Sequence, residues 1–239
     1  MAEKKKRISM TTPKGVFVFP KLTKPDYGNA EYPKPDGEYS VNLSMQADDK
    51  ATQAFLKALQ QHYDEAIAEA EKEFKGLKVE TRKKLGEVKT NPLYTTVYDQ
   101  ETEEPTGEIR FKFTMKASGT RRADESKWSA KPAIFDAKGR PMVKVPDIWS
   151  GTEGKVSFSP SAYFIPGTGA AGLKLNLNAA QIIDLVANGT RSATSYGFGA
   201  EEGYEYEPNE FDPENDADDE DEDTTTSKPQ QDIDDDIPF

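Results

Sequence analysis

Residues 109–116 read Ile-Arg-Phe-Lys-Phe-Thr-Met-Lys. Ile109, Phe111, Phe113 and Met115 alternate with Arg110, Lys112, Thr114 and Lys116. A period of two puts the apolar set on one face of a β-strand and the cations on the other. The apolar face has to cover a core, so Phe111 and Phe113 are expected inside. The opposite face then carries a row of positive charge into solvent.

Similar signals recur on both sides of this strand. Gly15-Val-Phe-Val-Phe-Pro20 reads as a short strand. Tyr39, Val41, Leu43 and Met45 alternate with Ser40, Asn42 and Ser44. Lys155-Val-Ser-Phe158 and Leu173-Lys-Leu-Asn-Leu177 alternate again. Ala133-Ile-Phe135 and Met142-Val-Lys-Val145 flank Asp136-Ala-Lys-Gly-Arg140, which predicts a hairpin. Residues 180–187 fit a short buried strand or helix. Residues 24–37 hold Pro25, Pro33 and Pro35 together with Gly28, Asn29 and Gly37, a loop composition.

One segment has the other period. Phe55, Leu59, Tyr63, Ile67, Ala70 and Phe74 recur at spacings of three and four. This predicts a helix over 48–74, started by Asp48 or Asp49 and ended at Gly76. Residues 77–92 read as basic and irregular. About six strands with this single helix give a mainly β fold class, an OB-fold-like barrel with one long inserted α-helix.

The net charge of −12 hides an asymmetry. From Ala200 onward there are 18 acidic residues against Lys228 alone, or −17. The remainder holds 30 basic and 25 acidic residues, or +5. A basic body suits a polyanionic partner, and an acidic tail suits a basic one. Residues 201–223 are acidic, 224–231 form a polar spacer, and nothing after 200 can bury a core. This predicts a disordered acidic C-terminal tail.

Several chemistries find no support. There is no cysteine, and His62 is the only histidine, so a zinc site has no ligand set. Gly167-Thr-Gly-Ala-Ala-Gly172 matches a dinucleotide-binding pattern, but the alternating leucines after it predict a strand where that pattern needs a helix. It reads as a strand-to-strand loop. No nucleophile–base set is visible, so no enzyme, cofactor or metal is expected. No apolar run approaches the roughly 18 residues of a membrane helix. The charged start, Met1-Ala-Glu-Lys-Lys-Lys-Arg7, is not expected to act as a signal peptide.

The cationic strand face carries the leading functional reading. Arg110, Lys112 and Lys116, with Lys155 and Lys174 at corresponding positions on two other strands, can track a phosphate backbone. Unpaired bases can then stack on nearby aromatics. Tyr94, Tyr98, Trp128, Trp149, Tyr163 and Phe164 are the candidates, because none falls clearly on a core-facing period. An ordinary solvated face is the competing reading of the lysines. Phe55, Phe111, Phe113 and Phe158 are assigned to the core.

The last eight residues, Asp232-Ile-Asp-Asp-Asp-Ile-Pro-Phe239, are more specific than an acidic run. Pro238 restricts the backbone, and Phe239 offers a ring and a carboxylate together. A basic-rimmed apolar pocket would bind both, steered by the aspartates. Asp234, Asp235, Asp236, Ile237, Pro238 and Phe239 therefore form a candidate partner-docking tip.

That tip resembles the end of bacterial single-stranded DNA-binding proteins. The body resembles the single-stranded DNA-binding proteins of T7-type bacteriophages. The matching stretches are Lys24-Pro-Asp-Tyr-Gly-Asn29, Gly37-Glu-Tyr-Ser-Val-Asn-Leu43, the long helix, Phe111-Lys-Phe113, Asp136-Ala-Lys-Gly139 and Lys155 through Tyr163. They run in the same order across most of residues 15–187. The resemblance implies an OB-fold that binds single-stranded DNA in a basic, aromatic groove, with Arg110 and Lys112 on the basic strand and Tyr163 in the groove. It implies replication partners for the tail: DNA polymerase, helicase/primase, and host proteins that read bacterial tips of this kind. Two departures stand out. Ile165-Pro166 replace a second groove aromatic, and the family's ending is Asp-Phe where this chain has Ile-Pro-Phe.

The resulting organisation is a basic flexible N-terminus (1–13), an OB-fold DNA-binding domain (14–190), a disordered acidic linker (191–231) and the docking tip (232–239). The expected role is coating of unpaired DNA in phage replication, recombination and repair, in the cytoplasm of the infected bacterial host. A strand-annealing mediator and a decoy that captures host proteins through its tail are the alternatives. The oligomeric state is open, a homodimer included.

Overall fold

The alternation at residues 109–116 lies in a 12-residue strand at the middle of the described structure. The computed structural model describes residues 8–121 and 123–186. In chain order the elements are β1 (Met10–Thr11), β2 (Gly15–Gly28), β3 (Pro33–Gln46), α1 (Lys50–Gly76), α2 (Val79–Leu85), β4 (Lys89–Thr90), β5 (Thr95–Tyr98), β6 (Pro105–Lys116), β7 (Ser118–Thr120), β8 (Lys127–Ser129), β9 (Ala133–Phe135), β10 (Glu153–Ile165) and β11 (Ala170–Asp184).

Five of these strands close on themselves in the order β10-β2-β3-β6-β11 and back to β10. All contacts around the ring are antiparallel except β6 with β11, where Leu175 lies beside Phe113. The result is the expected OB-like barrel. Closure needs close backbone approach where β10, still paired with β11, also meets β2. Gly154 and Gly15 face each other there. A Cβ on Gly154 would strike the Phe17 ring and the Gln181 carbonyl, so no other residue fits without displacement.

The core is the inward set of each strand: Phe17, Val41, Leu43, Phe111, Phe113, Val156, Phe158 and Leu177. Helix α1 lays Phe55 and Leu59 on it. Phe55 meets Phe111 and Phe158 edge-on, at centroid distances of 5.4 and 5.9 Å. Such pairs add about 0.5–1.5 kcal/mol each beyond area burial. The four phenylalanines assigned to the core from the sequence are all buried.

Several local expectations are corrected. Residues 24–37 are the tip of the β2–β3 hairpin, with only Asn29–Tyr32 outside the strands. Pro25 and Pro35 are accommodated because the ladder skips there, pairing Lys21 with Ser40, Asp26 with Glu38 and Gly28 with Pro33. Residues 77–92 contain the short helix α2 and strand β4. Of the strand and helix alternatives for residues 180–187, the strand holds for 180–184, which continue β11. Met10–Thr11 pair with β10, so the N-terminal segment is anchored before residue 13. The hairpin at Asp136 forms its turn, with Lys138 and Arg140 N–H groups donating to the Asp136 carboxylate. Its second arm fails: Pro141 makes one isolated bridge, and Met142–Val145 form no strand. Strand β9 pairs in parallel with β11. The Gly167–Gly172 stretch is, as expected, a strand-to-strand turn running into β11.

Candidate nucleic-acid interface

The outward residues of β3, β6 and β11 make one wall. Asn42 sits opposite Lys112, Ser44 opposite Arg110 and Ser40 opposite Thr114, with β11 on the far side of β6. The segment 92–95 and Tyr163 rise at the edges, leaving a groove of about 630 Å³. Glu38, Asn42, Arg110, Lys112, Thr114, Tyr163, Lys174 and residues 92–95 line it.

Arg110, Lys112 and Lys174 make no ion pair among the described residues. Glu38 is the one acidic wall residue among the described residues, and it accepts a 2.8 Å hydrogen bond from Lys34. Arg110 Nε is buried without a hydrogen-bond partner among the described residues. A buried donor left without a partner costs about 1–3 kcal/mol.

The rings are held. Tyr163 stands opposite Gly172 across the β10–β11 hairpin. A Cβ on Gly172 would lie 2.8 Å from Tyr163 Oη and 3.1 Å from Cζ, so the ring crosses the space a side chain would fill. Asn91 Nδ2 donates to Tyr163 Oη at 2.6 Å, and Tyr63 Oη donates to the Asn91 carbonyl at 2.9 Å. Helix α1 thus fixes the edge of the groove. Tyr94 is 37% exposed and rests against Phe111 at 5.6 Å.

Five of the predicted residues therefore meet: Arg110, Lys112, Lys174, Tyr94 and Tyr163. The others are placed elsewhere. Lys116 lies at the end of β6, paired to Asp36 at 2.8 Å. Lys155 lines a separate depression with Phe135, Ser157 and Gln181. Trp128 covers Gly119 in the β7–β8 hairpin. Trp149 lines a second cleft. Phe164 follows Tyr163 and so takes the other face of β10. Tyr98 is exposed on β5 but does not line the groove. Asp234 through Phe239 lie outside the described residues.

Asn42 and Thr114 were missed, although the same alternation that exposed Lys112 places them outward. Asn91 was missed because its role depends on a tertiary contact. Basic α2 was also missed. Its Leu85 abuts Gly169 in the β10–β11 turn, and Lys89 N–H donates to the Gly169 carbonyl at 2.8 Å. Arg82, Lys83 and Lys84 thereby stand at the same end of the hairpin as Tyr163.

The family profile described as "Single-stranded DNA-binding protein, Bacteriophage T7" matches residues 16–185. A single-stranded DNA-binding protein of Enterobacteria phage T3 is 30% identical over 175 residues, covering 70% of this chain and 72% of that protein. The protein of the same description from Escherichia phage T7 is 26% identical over 170 residues, with the same coverage. The crystal structure of gp2.5, a single-stranded DNA-binding protein encoded by bacteriophage T7, superposes with a TM-score of 0.60 at 24% identity. It covers 84% of this chain and all of that one.

Proposed function

The chain belongs to the bacteriophage T7 single-stranded DNA-binding protein family, and on that premise we propose that it binds unpaired DNA in the groove of Arg110, Lys112 and Lys174. One observation supports this most: three cations that make no ion pair among the described residues share a groove with two fixed, accessible rings. Phosphates would lie along the cations while successive bases stack on Tyr94 and Tyr163. Every base has a π-face, so little sequence preference follows. Asn42 and Thr114 offer hydrogen bonds without adding charge.

The same reading extends to the tail. The −17 segment can compete with DNA for the +5 body, and the Asp-Ile-Pro-Phe tip supports recruitment of replication proteins to coated DNA. On this reading the protein acts in replication and recombination inside the infected host cell.

The test is fluorescence anisotropy with a labelled single-stranded oligonucleotide and its duplex. Salt-sensitive binding that favours the single strand is expected. Absence of salt-dependent binding to the single strand would overturn the groove assignment.

A further inference from the structure

The β2 strand exposes an aromatic ring where alternation would bury one. Phe17 is fully buried, and Phe19 two residues on should face the same way, yet Phe19 is 69% exposed. The register slips at this point: Val18 pairs with Asn42 and Lys21 with Ser40, so three steps on β2 match two on β3. The extra residue reverses the parity, and Leu22 becomes the next buried side chain. Phe19 takes a φ of 49°, a left-handed conformation that is costly for a bulky residue. Its N–H donates to Ser150 Oγ at 2.9 Å, and Gly151 N–H donates to the Phe17 carbonyl at 3.0 Å. Strain of this kind persists only where surrounding contacts hold it, and it clusters at functional sites.

A second ring shares the cleft. Trp149 is 48% exposed and, with Phe19, Lys21 and Lys24, lines a space of about 300 Å³. Asp147 offsets Lys24 at 3.6 Å, while Lys21 makes no ion pair among the described residues. Two open rings beside a lysine repeat the chemistry of the groove.

We propose that the Phe19–Trp149 cleft is a second base-stacking site for single-stranded DNA, continuous with the groove. The proposal rests on the reading that the groove binds such DNA. The path follows the sheet: Lys21 pairs with Ser40, Ser40 with Thr114, and Thr114 lines the groove. Strands lie about 4.8 Å apart, so Lys21 stands roughly 10 Å from Thr114. That is roughly three steps of a stacked strand at about 3.4 Å each. Lys21 would take the phosphate, and a base would enter between the rings.

The test compares the full chain with Phe19→Gly, Trp149→Ala and Lys21→Gln on two oligothymidylates, one about six nucleotides long and one about fifteen. Phe19→Gly removes the ring and suits the positive φ. Lys21→Gln leaves the bulge intact, which keeps the test valid should a ring variant misfold. Each ring variant is expected to bind the short oligomer like the parent and the long one about 5- to 150-fold more weakly. Lys21→Gln is expected to flatten the salt slope by about 0.7 on the long oligomer alone. Parental affinity of all three variants for the long oligomer would overturn the second site and leave the groove standing. So would loss of self-association without loss of DNA binding, which would make the cleft an interface between copies. Failure of the parent to bind either oligomer would overturn both readings.

Discussion

Replacing Arg110, Lys112 and Lys174 together by glutamine should flatten the salt dependence of single-stranded DNA binding by a calculable amount. None of the three has an ion-pair partner among the described residues, so each is free to displace a counter-ion from DNA. Each phosphate neutralised on a single strand contributes a slope of about −0.7 in log affinity against log salt. Three contribute about −2.1. Between about 50 and 200 mM salt, the parent should therefore lose roughly 18-fold more affinity than the triple variant. Anisotropy titrations at four or five salt concentrations measure this directly. Two single variants serve as internal comparisons. Lys155→Gln lies in a different depression and should leave the slope unchanged. Lys116→Gln removes a cation already paired to Asp36 and should change it by less than one groove residue does. A triple variant with the parental slope would refute the placement of the backbone path. So would a Lys155 variant that flattens the slope as much as Lys112→Gln.

Removing a ring should act differently from removing a charge. Tyr163→Ala is expected to cost about 1–3 kcal/mol of affinity with no change in slope; Gly172→Ala, which crowds the same ring, should shift affinity in the same direction in the same titration. Phe158→Ala removes a fully buried ring that contacts Phe55 and Phe113, and should lower unfolding free energy by about 3–5 kcal/mol in urea titration. A chain ending at residue 199 should bind DNA more tightly than the full chain, most of all at low salt, because the −17 competitor is gone; equal affinities would sink that expectation. The Lys34 ammonium, and then the Gly28 N–H, hold the Asp26 carboxyl below its ordinary range. The folded pKa is depressed, so this contribution to stability is present above about pH 4 and is lost as pH falls through the folded value. Thermal melts at falling pH should show a smaller acid-induced drop for Asp26→Asn than for the parent.

The sequence carried the faces of the strands but not their neighbours. Alternation at 109–116 placed Phe111 inside and Lys112 outside, and the structure agrees. It gave Lys155 the same standing as Lys174, since both are polar positions on alternating strands. Barrel closure separates them. Lys174 lies on the part of β11 that runs beside β6, whereas Lys155 lies at the other end of β10, paired with Gln181 near where the strand crosses to β2. No local period encodes which strand is adjacent across a closure. The aromatics divided for a related reason: Tyr94 and Tyr163 line the groove, whereas Tyr98, Trp128, Trp149 and Phe164 do not. A ring's availability depends on what covers it: Trp128 lies over a glycine, Tyr163 is tied by Asn91, and Phe19 is turned outward by one extra residue. A bulge shifts parity for every residue after it. Reading β2 with a fixed period of two therefore places Phe19 in the core and Leu22 in solvent, the reverse of what is observed. The hydrophobic pattern itself contains the correction, because the five-residue interval between Phe17 and Leu22 cannot fit one face of an unbroken strand. An odd interval between two apolar residues in a segment of otherwise even spacing marks the bulge. At this one, the residue turned outward is an aromatic that shares a cleft with Lys21, which makes parity breaks a place to look for binding residues that alternation alone assigns to the core.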